Sequence, residues 1–226
     1  MENNVLTTSP LFKGISEEDC KEIYILMQDK VLPKGKPLFK SGDESDDFFV
    51  ILKGKLKLVS STSDGRENLV SVIGSKEFLG EVALFDPRPH SVSAIALTSV
   101  RYCSIKYDDL RLVLDRYPRI SQNMLQILAN RLRKTDESLS DFVFYDVPGR
   151  VAKALLHLAD SFGEQVDEKT IFVKHDLTQE ELSQLVGASR ETVNRALAEF
   201  VTRGWVKLGI RSVTILDEEK LRYRTR

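Results

Sequence analysis

The hydropathy period of this chain changes twice, and those changes restrict its fold more than any other feature. After a short opening helix expected over Ser16 to Met27, begun by the cap-like Ser16-Glu17-Glu18-Asp19, residues 31–105 read as short strands. Glycine-bearing turns separate them at Lys34-Gly35, Ser41-Gly42-Asp43, Lys53-Gly54-Lys55, Ser63-Asp64-Gly65 and Ile73-Gly74. Between turns the residues alternate, as in Lys55-Leu56-Lys57-Leu58, or form apolar runs such as Phe48-Phe49-Val50-Ile51-Leu52. Many short strands at near-regular spacing predict a small β-barrel or roll.

From about Tyr107 the period becomes helical. Pro118 can start a helix, and neither proline nor glycine interrupts the next 26 residues, Arg119 to Phe144. That helix carries two stripes. Leu125, Leu128, Leu132, Leu139 and Val143 are expected to cover the roll. Met124, Leu128, Arg131, Thr135, Ser138 and Phe142 step by four and three, so they form either a solvated face or a dimer seam with a polar middle. Asp146-Val147-Pro148-Gly149 then reads as a hinge or domain boundary, followed by a helix over Arg150 to Phe162 and a strand-like Thr170-Ile171-Phe172-Val173.

Thr178-Gln179-Glu180-Glu181 is a capping box opening a short helix with Leu182, Leu185 and Val186 on its apolar face. Gly187-Ala188 turn the chain, Ser189 caps the next helix, and Val193, Ala196, Leu197 and Phe200 face inward. Two short helices joined by a glycine turn make the helix-turn-helix pattern. The outer face of the second helix presents Arg190, Glu191, Asn194 and Arg195. Arginine donates in fork geometry to guanine O6 and N7, and glutamate accepts from cytosine N4. Arg203 to Leu208 and Ser212 to Ile215 read as a hairpin wing with Gly209 in its turn.

Bulk composition adds little: 42% hydrophobic and 30% charged residues with a formal net charge of -1 describe an ordinary globular chain. The local balance is sharper, with five basic residues and two acids from Leu185 to Ile215. Cys20 and Cys103 are too few for an iron–sulfur cluster or a zinc site, and His90, His157 and His175 are scattered. No metal is therefore expected, and a metal-dependent barrel enzyme, which needs several inward histidines, is disfavoured. No nucleophile–base pair or catalytic phosphate loop is visible, so a non-enzyme is expected. The N-terminus lacks a basic flank and an apolar core, and no apolar run reaches membrane length. A cytoplasmic location without membrane association is expected.

Ser189-Arg190-Glu191-Thr192-Val193-Asn194-Arg195, preceded by Leu185-Val186-Gly187-Ala188, resembles the recognition helix of the cyclic-AMP receptor protein family, the Crp/Fnr regulators. Gly65-Arg66-Glu67-Asn68, Phe78-Leu79-Gly80-Glu81, Phe85-Asp86-Pro87 and Asp146-Val147-Pro148-Gly149-Arg150-Val151-Ala152 agree in order and spacing. The resemblance covers essentially the whole chain and looks closest to the actinobacterial branch. It implies an α+β fold: a cyclic-nucleotide-binding β-roll over residues 1–116, a long dimerisation helix over 117–145, and a winged helix-turn-helix over 146–226. It further implies a homodimer on a palindromic double-stranded DNA operator, with half-sites about one DNA turn apart and allosteric control by cyclic AMP. RNA polymerase is a further candidate partner, with no surface for it legible in the sequence.

Carried over residue by residue, Arg190 and Arg195 read guanines and Glu191 a cytosine, implying half-sites resembling TGTGA. Thr178, Ser189, Thr192 and Asn194 complete the DNA-contacting set. In the ligand pocket, Gly80 offers a backbone N–H and Glu81 accepts from the ribose 2′-hydroxyl. Val70, Ser71 and Val82 line the site, and Arg131, Thr135 and Asp136 reach it from the long helix. The family grips the cyclic phosphate with an arginine followed by serine or threonine; His90-Ser91 stand there instead. Losing a charge-assisted bidentate contact costs roughly 1.5–3 kcal/mol, or about tenfold to a hundredfold in affinity. Three alternatives follow: Arg88 takes the role, a protonated His90 serves, or the roll has abandoned cyclic AMP. A His90 grip predicts affinity falling between about pH 6 and pH 8. Asp136 replaces a neutral polar side chain and disfavours cyclic GMP more than cyclic AMP. A constitutive DNA-binding protein with a purely structural roll is the competing reading; a heme or iron–sulfur sensor fails on its ligands.

Overall fold

The computed structural model describes residues 6–62 and 67–225. The expected turn Ser63-Asp64-Gly65 and the Gly65-Arg66 half of one family segment lie outside the described residues. The chain divides into two compact units, Met1–Glu67 with Ser71–Lys134, and Thr135–Arg226 with Asn68–Val70.

In the first unit, α1 (Glu17–Ile25) is capped by Ser16, whose hydroxyl accepts from Asp19 N at 3.0 Å, as its sequence predicts. The strands are β1 (Gln28–Leu32), β2 (Pro37–Phe39), β3 (Asp47–Lys53), β4 (Leu56–Ser61), β5 (Glu67–Ile73), β6 (Phe78–Leu79), β7 (Ser93–Ala96) and β8 (Val100–Lys106), with the short helix α2 (Glu81–Phe85) after β6. They form two four-stranded sheets, ordered β1-β8-β3-β6 and β2-β7-β4-β5. The apolar run of β3 makes sense on this frame. Phe48 and Val50 join one core with Ile105, while Phe49 and Ile51 join another with Leu56, Ala94 and Tyr102. Successive side chains point to opposite faces, so one strand feeds both cores.

Helix α3 (Tyr107–Arg116) leads into α4 (Pro118–Phe144), which starts at the proline and runs unbroken to the end of the glycine-free stretch. Ile120 and Met124 are fully buried on the roll, with Ile127 and Leu128 packed beside them. Each fully buried side chain of this kind contributes roughly 1.5–3 kcal/mol. Buried Asn123 donates to the carbonyls of Leu11 and Lys13, both at 2.9 Å, and fixes the helix to the N-terminal segment. Of the stripe expected to cover the roll, only Leu128 does so among the described residues; the rest is misassigned. Leu125, Leu132 and Leu139 are 64%, 63% and 62% exposed, and Val143 is exposed as well. The 3.6-residue turn rotates Ile120, Met124, Ile127 and Leu128 inward and carries the heptad leucines out.

The second unit is built on α5 (Val147–Phe162). Asp146 caps it, accepting from Gly149 N at 2.9 Å. Pro148 and Gly149 thus sit inside its first turn rather than in a linker, because a proline there has no orphaned N–H to lose. Next come β9 (Gly163–Gln165), missed in the sequence, and β10 (Ile171–Val173). They are followed by α6 (Gln179–Val186), α7 (Arg190–Thr202), β11 (Val206–Gly209), β12 (Ser212–Ile215) and α8 (Glu218–Arg224). The sheet order is β11-β12-β10-β9. The wing is present, but Gly209 pairs with Ser212 as its last rung, and Ile210-Arg211 make the turn.

Candidate nucleic-acid interface and roll pocket

The helix-turn-helix is held by the predicted caps. Thr178 Oγ1 accepts from Glu181 N at 3.1 Å while Glu181 Oε2 accepts from Thr178 N at 2.8 Å, a complete capping box. Gly187 ends α6 at φ 67°, a left-handed conformation that favours glycine. Ser189 caps α7, accepting from Thr192 N, and its hydroxyl lies 2.9 Å from that of Thr192. Val193, Ala196, Leu197 and Phe200 are buried; Arg190, Glu191, Asn194 and Arg195 are exposed. None of these four side chains has a hydrogen bond or ion pair among the described residues. Two cations, a carboxylate and an amide therefore stand on one face with their bonding capacity open. Trp205 stacks on Phe200 at 5.4 Å and lies under Arg203, anchoring the start of the wing.

The roll pocket is organised around Glu81. Gly80 has φ 93°, and a Cβ there would meet Asp47 O at 2.5 Å, so any side chain is strained at this position. Tyr107, which sequence reasoning passed over, donates its hydroxyl to Gly80 O at 2.6 Å and pins the turn. Glu81 is buried. Its Oε1 accepts from Arg131 Nη1 at 2.8 Å, and Arg131 Nη2 donates to Phe78 O at 2.8 Å with the guanidinium over the Phe78 ring. Glu81 Oε2 is buried without a hydrogen-bond partner among the described residues. Burial pushes the Glu81 carboxyl above its ordinary value, opposed by the Arg131 charge. An orphaned buried acceptor suits a hydroxyl donor such as a ribose 2′-OH.

The other expected pocket residues are less committed. Val82 and Ser91 are exposed, Val70 is exposed on β5 with Ser71 half-buried, and Thr135 and Asp136 are exposed on α4. Arg88 is 79% exposed, its Nε 3.1 Å from Asp86 Oδ1. His90 is stacked on Phe39, and burial lowers its pKa while Asp43 opposes the shift. Among the described residues no group of three His, Cys, Asp or Glu side chains can hold a metal, and no helix is long and apolar enough to cross a membrane.

Residues 29–117 match the cyclic nucleotide-binding domain family, and residues 149–224 match the Crp-like helix-turn-helix domain family. Over 224 residues the chain is 44% identical to the CRP-like cAMP-activated global transcriptional regulator of Mycobacterium tuberculosis, covering 99% of this chain and 100% of that one. The chain belongs to the Crp/Fnr family. As a Crp/Fnr protein it is a transcription regulator rather than an enzyme, with a cyclic-nucleotide-binding domain and a DNA-binding helix-turn-helix. The cyclic AMP receptor protein of Thermus thermophilus is 31% identical over 215 residues, covering 93% of this chain and 96% of that one. Among solved structures, the Thermus thermophilus catabolite activator protein aligns at 30% identity with a TM-score of 0.55, covering 96% of this chain and 98% of that one. FixK2 from Bradyrhizobium japonicum, at 16% identity and a TM-score of 0.78 over 88% of this chain and 98% of that one, shares the Crp/Fnr fold.

Proposed function

We propose that this Crp/Fnr protein acts in the cytoplasm as a homodimer on palindromic operators with TGTGA-like half-sites, under the control of cyclic AMP bound in its roll. The observation that carries the DNA reading is the open face of α7. Arg190 and Arg195 donate to guanines, Glu191 accepts from cytosine, and Asn194 extends the contact. Thr178, Ser189 and Thr192 lie at helix N-termini, where side chains and backbone N–H groups favour phosphate. Leu125, Leu132 and Leu139, one heptad apart and largely exposed, supply the seam for a second copy. Action at a promoter makes RNA polymerase a further partner.

Cyclic AMP is the effector that the named relatives suggest, and the unpartnered Glu81 Oε2 suits its 2′-hydroxyl. Thr135 and Asp136 are the base contacts proposed from α4. The phosphate falls to Arg88 rather than His90. Among the described residues Arg88 is held by one exposed ion pair, which is worth little and easily exchanged, whereas His90 is stacked and burial disfavours its charged form. That same stacked histidine, standing where the family has an arginine, favours a second reading, in which the roll works without cyclic AMP or takes a different small molecule.

The DNA reading is tested by titrating a fluorescent palindromic duplex and a scrambled one. Arg190→Ala and Arg195→Ala are each expected to lose about 1–3 kcal/mol of discrimination, and full discrimination in both variants overturns it. For the effector, calorimetry with cyclic AMP on wild type, Arg88→Ala and His90→Gln decides. Binding weakened by Arg88→Ala alone supports the first reading. No heat in wild type, with operator affinity equal with and without the nucleotide, supports the second.

A further inference from the structure

The sequence reads Asp146-Val147-Pro148-Gly149 as a hinge or domain boundary, and in the second unit this stretch is braced by several bonds. Asp146 caps α5 and pairs with Arg224 of α8, and Tyr145 donates its hydroxyl to Thr225 O at 2.6 Å. Buried Asp141, on the last turns of α4, holds Lys153 of α5 at 2.6 Å across the junction. Beside this pair, Arg150 makes three connections at once. Its Nε donates to Val186 O at 3.1 Å, Nη2 to Gly187 O at 3.3 Å, and Nη1 to Tyr145 O at 3.1 Å. The guanidinium thereby satisfies orphaned carbonyls at the end of α6 and of the segment leaving α4. Its face lies over the Phe142 ring at 5.2 Å. The same ring, 51% exposed, lies against the turn between α6 and α7, where a Cβ on Gly187 would meet Phe142 Cε1 at 2.4 Å.

We propose that Phe142 and Arg150 are positioning residues for DNA reading, bolting the helix-turn-helix turn to the last turn of the long helix so that α7 takes its direction from α4. Gly187 is then required twice: its φ ends α6, and its missing side chain lets the ring seat. The consequence concerns geometry, not base chemistry. A single α7 reads its half-site without the bolt, but two copies match a fixed half-site separation only if each is locked to its own long helix. Pro148 and Gly149, inside the first turn of α5, belong to the braced part.

The proposal rests on the dimeric operator reading, and the experiment separates the two. Affinities of the full-length protein are measured, with and without cyclic AMP, for three duplexes: a TGTGA-type palindrome, the same palindrome with one base pair inserted between half-sites, and a single half-site. Wild type is expected to prefer the first. Phe142→Ala is expected to bind the palindrome about tenfold more weakly, to tolerate the insertion, and to keep its single-half-site affinity within about twofold. Phe142→Leu, which retains apolar bulk, gives a smaller loss of the same pattern and carries the test should the alanine variant fail to melt cooperatively. Gly187→Ala is expected to reproduce the defect, and combining it with Phe142→Ala to add little further loss, because both changes break the same contact. An unchanged spacing profile in the Phe142 variants overturns the bolt, as does an equal loss on all three duplexes. A wild type indifferent to spacing overturns both the bolt and the operator reading.

Discussion

The imidazole of His90 lies flat on the ring of Phe39, centroids 3.7 Å apart and planes 10° from parallel. Its backbone is tied on both sides, His90 N donating to Asp43 O at 2.9 Å and His90 O accepting from Gly42 N at 2.8 Å. A ring sandwiched in this way loses hydration on one face. Desolvation therefore lowers its pKa, and the Asp43 charge offsets this only in part.

The stack has a pH signature. A histidine whose folded pKa is depressed binds fewer protons folded than unfolded. Its contribution is intact above its unfolded pKa, about 6.5, and is lost as pH falls through the lower folded value. The melting temperature of wild type is expected to fall relative to His90→Phe, which keeps the stack without a titratable group, as pH drops from about 7.5 to 5.5. A constant difference across that range contradicts the shift.

Arg131→Met should destabilise the first unit by about 3 kcal/mol, because it leaves the Glu81 carboxylate buried with no cation. The loss should shrink on acidification. Burial already raises the Glu81 pKa, and removing Arg131 raises it further, so protonation relieves the unpaired charge. Urea melts at pH 8 and pH 5 check the sign; a larger loss at the lower pH refutes it.

Gly80→Ala is expected to cost about 1–3 kcal/mol from its φ of 93° alone, with more from the 2.5 Å approach to Asp47 O. Denaturant midpoints read the loss. A neutral substitution would mean that the Gly80 turn relaxes freely.

Leu132→Asp should leave each copy folded, since Leu132 is largely exposed in one chain, yet split the dimer. Burying a leucine contributes roughly 1.5–3 kcal/mol and the substitution occurs twice per dimer, so dissociation should be at least about a hundredfold easier. Sedimentation shows it directly, and an intact dimer at micromolar concentration moves the seam elsewhere.

Local chemistry was readable wherever it acts over a few residues. The Thr178 and Ser189 caps, the Gly187 turn and the buried face of α7 follow from spacing alone, because a cap or a helical face is decided within one or two turns. Assigning the two stripes of α4 failed for the opposite reason. Both have helical spacing, and nothing local says which one a distant sheet will cover. Proline and glycine punctuate a chain, and the helix does break just before them, at Tyr145-Asp146, but Asp146 captures them into the first turn of α5. Tyr107 on Gly80, Arg150 on Val186 and Phe142 under Gly187 carried no signal, each joining residues at least 27 positions apart.

From the order of its amino acids, then, follow the strand-rich first half, the single long helix, the capped helix pair and the polar set on its outer face. These depend on backbone preference and side-chain period, which short stretches express unaided. Folding alone decided that Ile120 and Met124 turn inward while Leu125, Leu132 and Leu139 turn outward. It also stacked His90 on Phe39, left one oxygen of Glu81 waiting for a donor, and clamped Arg150 across the junction. Such outcomes depend on desolvation and on contacts between distant segments, and those exist only once the chain has closed on itself.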